Sequence, residues 1–232
     1  KVENSINIVK KCLEVCLFQC FIVYLHRIYS SINFSLEMEN NTENQWVDTY
    51  YRKLGKCGIS EEAINALVEK YGDVINKASF STKTDCGLAY DGSLIETALT
   101  KLTVYAVKLN NIYPEELRVD VNSIVKVCLL QHISKAVRTE KSTNEWRIKN
   151  LGEAYTYVKK TPAIGTGLHS IAMATECGIV FTPIEIEAMT SIDRDSNDDM
   201  QFKYHSDMLS SIVYQANQMV YVTAQKEAGL ID

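Results

Sequence analysis

The sequence predicts an all-α protein, and three observations carry that expectation. Apolar residues recur at helical spacing through most of the chain, prolines number only three in 232 residues, and turn dipeptides rarely interrupt the periodic runs. At 26.2 kDa the length suits one domain with an appendage. Hydrophobic residues make up 46% and charged residues 23%, the balance of a soluble globular chain.

The first 37 residues stand apart. Their apolar run, residues 12–25, is broken by Glu14 and Gln19 and falls short of the roughly 20 apolar residues that span a bilayer. Lys10 and Lys11 precede it as in a signal peptide, but His26, Arg27 and Tyr29 follow where a small-residue cleavage site would stand. Cys12, Cys16 and Cys20 share one face if the segment is helical, which reads as an apolar face before a ligand stripe or lipidation site. The first methionine is Met38, and Met-Glu-Asn-Asn-Thr-Glu-Asn is a polar start. Residues 1–37 are therefore expected to be an extension outside the native protein, with 38–232 as one helical domain. A membrane-tethered protein is the alternative if that extension is native.

The remaining elements follow in order. Trp46, Val47, Tyr50, Tyr51 and Leu54 repeat at helical spacing over 45–55, and Gly55 ends the run. Ser60 before Glu61 and Glu62 caps a helix running to about Tyr71. Residues 79–93 are polar, contain glycine and lack a period, so they form a loop. Leu99, Leu102, Tyr105, Ala106 and Leu109 stripe a helix over 94–110. Val121–Ala136 reads as a buried helix, and 139–162 as an excursion with room for a short hairpin. Gly165-Thr166-Gly167 opens a helix over 168–177. Thr182-Pro183-Ile184-Glu185 combines an N-cap, proline at the first helical position and glutamate at the third, so a helix starts at 183. A last helix spans 204–225.

Charge and cysteine usage narrow the function classes. A net charge of −5 argues against a duplex-DNA surface, which needs dense Lys and Arg. Seven cysteines, at 12, 16, 20, 57, 86, 128 and 177, are an odd number with no CxxC pair. Free thiols in a reducing cytoplasm fit better than a zinc or disulfide framework. Asp193, Asp195 and Asn197 copy the first three positions of a calcium loop. However, Asp198 stands where the turn needs glycine and Tyr204 where a bidentate glutamate is needed. No phosphate-binding glycine loop and no nucleophile elbow occurs.

The most informative phrase is Cys128-Leu129-Leu130-Gln131-His132-Ile133-Ser134-Lys135-Ala136. It resembles the apolar-leucine-leucine-His-Asp-isoleucine-small-Lys phrase of the HD-domain phosphohydrolases, with Gln131 and His132 in place of the His-Asp pair. Further phrases keep the same order. Ser81-Thr82-Lys83-Thr84-Asp85 resembles the family's Ser-x-Lys-Tyr-His, with Asp85 for the His. Gly92-Ser93-Leu94-Ile95-Glu96-Thr97-Ala98-Leu99 resembles Gly-Gly-Leu-Leu-Glu-His-Ser-Leu, with Thr97 for a metal-binding His. Gly165-Thr166-Gly167-Leu168-His169-Ser170 resembles Gly-His-Gly-Glu-Lys-Ser, with Thr166 for another His. Thr182 through Met189 resembles Leu-Thr-x-x-Glu-x-x-Ala-Ile. Tyr214-Gln215-Ala216-Asn217 resembles His-x-Ala-Asp, with Asn217 for the last metal-binding Asp.

This resemblance covers about residues 75–220 and implies an HD-domain-like helical bundle, of phage or mobile-element type, without the family's chemistry. That reaction needs divalent metal to polarise a phosphoryl oxygen and acidify a water. At the six former ligand positions, Asp85, Thr97, Gln131, His132, Thr166 and Asn217, His132 is the one imidazole left. Cys128 lies beside the old site on an apolar helix with nothing to lower its pKa. The expectation is a non-enzymatic binding or interaction protein, with no cofactor, whose helical pocket takes a nucleotide, a phosphate or a protein partner. Lys135 and Arg138 are its candidate phosphate-binding pair; their bland alternative is an exposed basic face. The runner-up is an active phosphohydrolase holding Mn, Mg or Fe on a rebuilt set of His132, His169 and Asp193.

Overall fold

The chain divides into two units, Lys1–Thr42 and Glu43–Asp232. The computed structural model describes residues 43–193 and 207–231, all within the second unit. The expectations for residues 1–37, the acidic run after Asp193 and the start of the last helix at 204 lie outside the described residues.

The first helix, α1 (Glu43–Lys56), buries Tyr50 and Leu54 from its apolar stripe. Tyr50 donates its hydroxyl to the Leu129 carbonyl at 2.9 Å, so the one polar atom of a buried ring is satisfied. Helix α2 (Glu61–Lys77) starts at the predicted cap, Ser60 Oγ accepting from the Ala63 amide at 3.2 Å. It runs six residues past Tyr71, because the buried Ile75 continues its apolar stripe beyond Gly72. The loop that follows contains a 3₁₀ turn, Thr84–Cys86.

Helix α3 spans residues 93–112 as three joined pieces: Ser93–Thr97, a π turn Ala98–Leu102, and Thr103–Ile112. The wider turn keeps Leu99 and Leu102 both fully buried, and Thr103 Oγ1 bonds the Ala98 carbonyl inside it. Helix α4 (Val121–Leu130) is capped by Asp120 and ends six residues before the predicted Ala136. From Gln131 to Ser134 the backbone tightens into three-residue bonds, such as Lys135 N to His132 O at 3.0 Å, before α5 (Lys135–Arg138) resumes. The break has a tertiary cause. Ser134 receives no continuing helix on that side; its amide donates to Ser170 Oγ at 3.0 Å and its hydroxyl to the Thr166 carbonyl at 2.8 Å.

Among the described residues the excursion supplies the departure from an all-helical description. Strand β1 (Thr139–Lys141) pairs antiparallel with β2 (Tyr155–Tyr157), Thr139 opposite Tyr157. A short helix, α6 (Glu145–Leu151), joins them, so the pair is not a tight hairpin. Asp91 anchors the arm, accepting from the Tyr155 hydroxyl at 2.6 Å and from Lys141 at 2.5 Å.

Helix α7 (Thr166–Glu176) begins two residues before the predicted Leu168. Helix α8 (Pro183–Thr190) starts where its capping box predicts, with both halves of the box formed. The same Glu185 carboxylate also holds Lys126 at 2.8 Å, an ion pair with only 13% and 4% of the two side chains exposed. Helix α9 (Met208–Glu227), capped by Asp207, packs on α3, α4 and α8. Where these helices meet, Ile124, Val127, Leu130, Ile212, Val213, Ala216 and Val220 are fully buried. Each large aliphatic among them contributes about 1.5–3 kcal/mol of burial. Among the described residues no helix is long and apolar enough to cross a membrane. Cys86, Cys128 and Cys177 are buried and unpaired, and Cys57 is half-buried.

Candidate functional site

The break after α4 aims two side chains at one cleft. His132 is 5% exposed, and its Nε2 lies 2.8 Å from Asn217 Oδ1 on α9. The Asn217 amide nitrogen donates to the Val213 carbonyl at 3.0 Å, which leaves Oδ1 facing the ring. Nε2 therefore carries the proton, and Nδ1 is a buried lone pair with no partner. Burial first, and the Lys135 ammonium second, hold the His132 pKa well below the usual imidazole value, against the opposing Asn217 bond. The ring is neutral at pH 7, its edge packed on Phe80 at 4.8 Å between centroids.

Lys135 follows one turn later. Its ammonium donates to the Phe80 carbonyl at 2.6 Å and lies 4.2 Å from the centre of the same residue's ring. Burial pulls its pKa down to about 8, and Cys86 acts weakly the other way. Among the described residues no carboxylate comes within ion-pair distance of it.

Two lobes of the cleft meet at this ammonium. A small lobe of about 120 Å³ is lined by Ser79, Ser81, Thr82, Arg138 and Thr139 among others. A larger lobe of about 280 Å³ is lined by His132, Ile192 and one face of α9. Lys135, Tyr157, Thr166 and Tyr221 line both. Arg138 sends one guanidinium nitrogen to the Ile164 carbonyl at 2.7 Å, while its Nε is buried without a partner.

Of the six former ligand positions, His132, Thr166 and Asn217 come together at the larger lobe. The other three line neither lobe. Thr97 is 2% exposed within α3, and Gln131 is fully buried with both amide atoms unpartnered. Asp85 is exposed on its 3₁₀ turn. In the rebuilt set, Asp193 is spent on a helix end: its carboxylate accepts from the Gly167 amide at 2.9 and 3.1 Å and from Leu168 at 3.2 Å. That contact explains both glycines. A Cβ on Gly165 would sit 2.2 Å from the Asp193 carboxylate, and one on Gly167 would sit 2.0 Å from the Met189 carbonyl. His169 lines neither lobe; its Nδ1 is buried without a partner, and burial, then Arg138, pushes its pKa down.

Among the described residues no group of three or more His, Cys, Asp or Glu is placed to hold a metal. The donors that remain do not fit one: His132 Nε2 faces Asn217, Asp193 faces backbone amides, and His132 Nδ1 is a single imidazole nitrogen where such a site takes several ligands. Cys128 is fully buried with its thiol pKa pushed up by desolvation, so it is core and not a nucleophile. What the described residues of the cleft offer is a half-buried ammonium, a guanidinium and several hydroxyls, of which those of Ser79 and Thr139 donate to backbone carbonyls. Sequence reasoning missed Phe80, Tyr157 and Tyr221. Tyr214, Asn217, Gln218 and Tyr221 do fall at helical spacing on α9, a readable signal. Phe80 gives no such signal, because it acts on Lys135 partly through its backbone carbonyl.

No protein-family model matches the chain, and neither a curated protein nor a solved structure matches it significantly.

Proposed function

We propose that this chain is a catalytically degenerate HD-domain-like protein, a non-enzymatic binding module whose cleft takes a phosphate-bearing ligand. One observation carries the reading: Lys135, a half-buried cation with no carboxylate partner among the described residues, stands where the two lobes meet. A desolvated charge is costly unless it is paired, and a bound anion supplies the pair. The N-terminus of α7, the other natural anion seat nearby, is already filled by Asp193, which leaves Lys135 and Arg138 as the anion-binding groups.

The non-enzymatic part rests on the His132–Asn217 bond. Two side chains at former ligand positions satisfy each other at 2.8 Å, so His132 Nε2 and the Asn217 amide are engaged and Nδ1 is left as a single imidazole nitrogen, too few donors for a divalent cation. Hydrolysis by the family's route needs a metal-activated water, and among the described residues the cleft has no carboxylate to orient one.

Calorimetric titration of inorganic phosphate into the full chain at pH 7 tests the anion site. Binding to the wild type and a loss of at least about tenfold in Lys135→Met is expected; unchanged affinity in that variant overturns the assignment. A screen of nucleotides and phosphodiesters with added manganese tests the rest. Turnover abolished by EDTA, together with stoichiometric bound metal, overturns the non-enzymatic reading.

A further inference from the structure

The geometry points to a small sugar phosphate as the ligand class, its phosphate in the small lobe and its hydroxyl-bearing ring against α9 in the larger one. This inference rests on the anion site proposed above and adds what occupies the neighbouring space.

The two lobes differ in chemistry. Lys135 and Arg138 both line the small lobe, with the hydroxyls of Ser81 and Thr82 beside them; the Ser79 and Thr139 hydroxyls donate instead to the Ser81 and Lys135 carbonyls, at 2.7 and 2.8 Å. Two cationic groups and two hydroxyls are a set of donors for the three oxygens of a phosphomonoester. Among the described residues of the larger lobe Lys135 is the one charged side chain, and it stands at the boundary. The rest of the polar lining is neutral: phenols of Tyr157, Tyr214 and Tyr221, the Thr166 hydroxyl and the Gln218 amide. Hydroxyls and amides both donate and accept, which is what a polyhydroxylated ring requires of its neighbours. The flanking aromatic faces suit its CH groups.

Size and spent groups weigh against a whole nucleotide. At about 280 Å³ the larger lobe lies just under the range of about 300–1,000 Å³ typical of drug-sized ligands, room for one ring before a sugar plus a base. Asn217, an amide at the lobe, is committed on both sides, to His132 at 2.8 Å and to Val213 at 3.0 Å. Among the described residues Gln218 is then the one amide of the lobe left to read a ligand, and it sits exposed on α9.

Calorimetric titration of the full chain with inorganic phosphate, ribose 5-phosphate and adenosine monophosphate tests this. Ribose 5-phosphate is expected to bind at least about tenfold more tightly than phosphate. In Gln218→Ala, a surface change that leaves the core intact, about fivefold of that gain should be lost while phosphate affinity stays the same. If ribose 5-phosphate binds no better than phosphate, the sugar assignment fails and the anion site stands. A nucleotide about tenfold tighter than ribose 5-phosphate also overturns it, because the base then contributes. If neither phosphate nor ribose 5-phosphate binds, the anion site itself falls.

Discussion

His132 and Lys135 lie one helical turn apart at the same cleft, and burial lowers the proton affinity of both. The outcomes differ because the starting points differ. The imidazole begins at 6.5 and drops out of the charged range at neutral pH; the ammonium begins at 10.5 and, at about 8, remains mostly protonated. Their partners match. Neutral His132 is used up as a donor to Asn217, while charged Lys135 has a carbonyl and a ring face beside it but no counter-charge among the described residues. The comparison teaches that the same direction of pKa shift makes a structural group of the buried residue and a binding group of the half-buried one.

The largest effect expected from breaking this contrast is on stability. His132→Ala removes the ring packed on Phe80 and strands Asn217 Oδ1, so urea unfolding should show a loss of about 2–4 kcal/mol. A loss within about 0.5 kcal/mol would mean that the pair is not structural. Acid sharpens the same point. Because the folded His132 pKa lies below that of the unfolded chain, unfolding takes up a proton at low pH. The contribution is complete above about 6.5 and falls as pH drops, by up to about 1.4 kcal/mol per pH unit. His132→Gln, which keeps a donor for Asn217, should flatten that slope in melts between pH 7.5 and 5.5.

Lys135 predicts the opposite direction with pH. Sulfate keeps its charge across the neutral range, so its affinity reports the lysine. It should hold steady below pH 8 and then fall toward about tenfold per unit, with a midpoint above 8 because the anion favours the protonated amine. Affinity that stays flat to pH 10 would exclude Lys135. The smallest effect is on the fold without ligand. Lys135→Met removes a desolvated charge and should raise stability by about 1 kcal/mol while anion binding is lost.

The two helices beside the cleft show why some of this was legible in the sequence. Every group that starts α8 lies within Thr182–Glu185, and both hydrogen bonds of the predicted box form, at 2.9 and 3.2 Å. The start of α7 depends on Asp193, which lies 26 residues along the chain from Gly167. Gly165-Thr166-Gly167 therefore reads only as the lead-in to a helix over 168–177, whereas the helix begins two residues earlier, at Thr166. The same distinction runs through the site. The α9 face from Tyr214 to Tyr221 follows helical spacing and is readable, whereas Phe80 in an aperiodic loop is not. Three positions suggested by the family resemblance reach the cleft, but Thr97, Gln131 and Asp85 do not, because sequence alignment says nothing of burial.

By itself the sequence determined the helical class, the caps at Ser60 and Thr182, and the stripes that form the core, all of which depend on interactions within one or two turns. Tertiary structure alone decided the charge states at the cleft. His132 meets Asn217 across 85 positions and Lys135 meets Phe80 across 55. Desolvation and the choice of partner are set by such distant neighbours, so the phrase Gln131-His132-Ile133-Ser134-Lys135 could name the groups but not which would be neutral and which would stay charged.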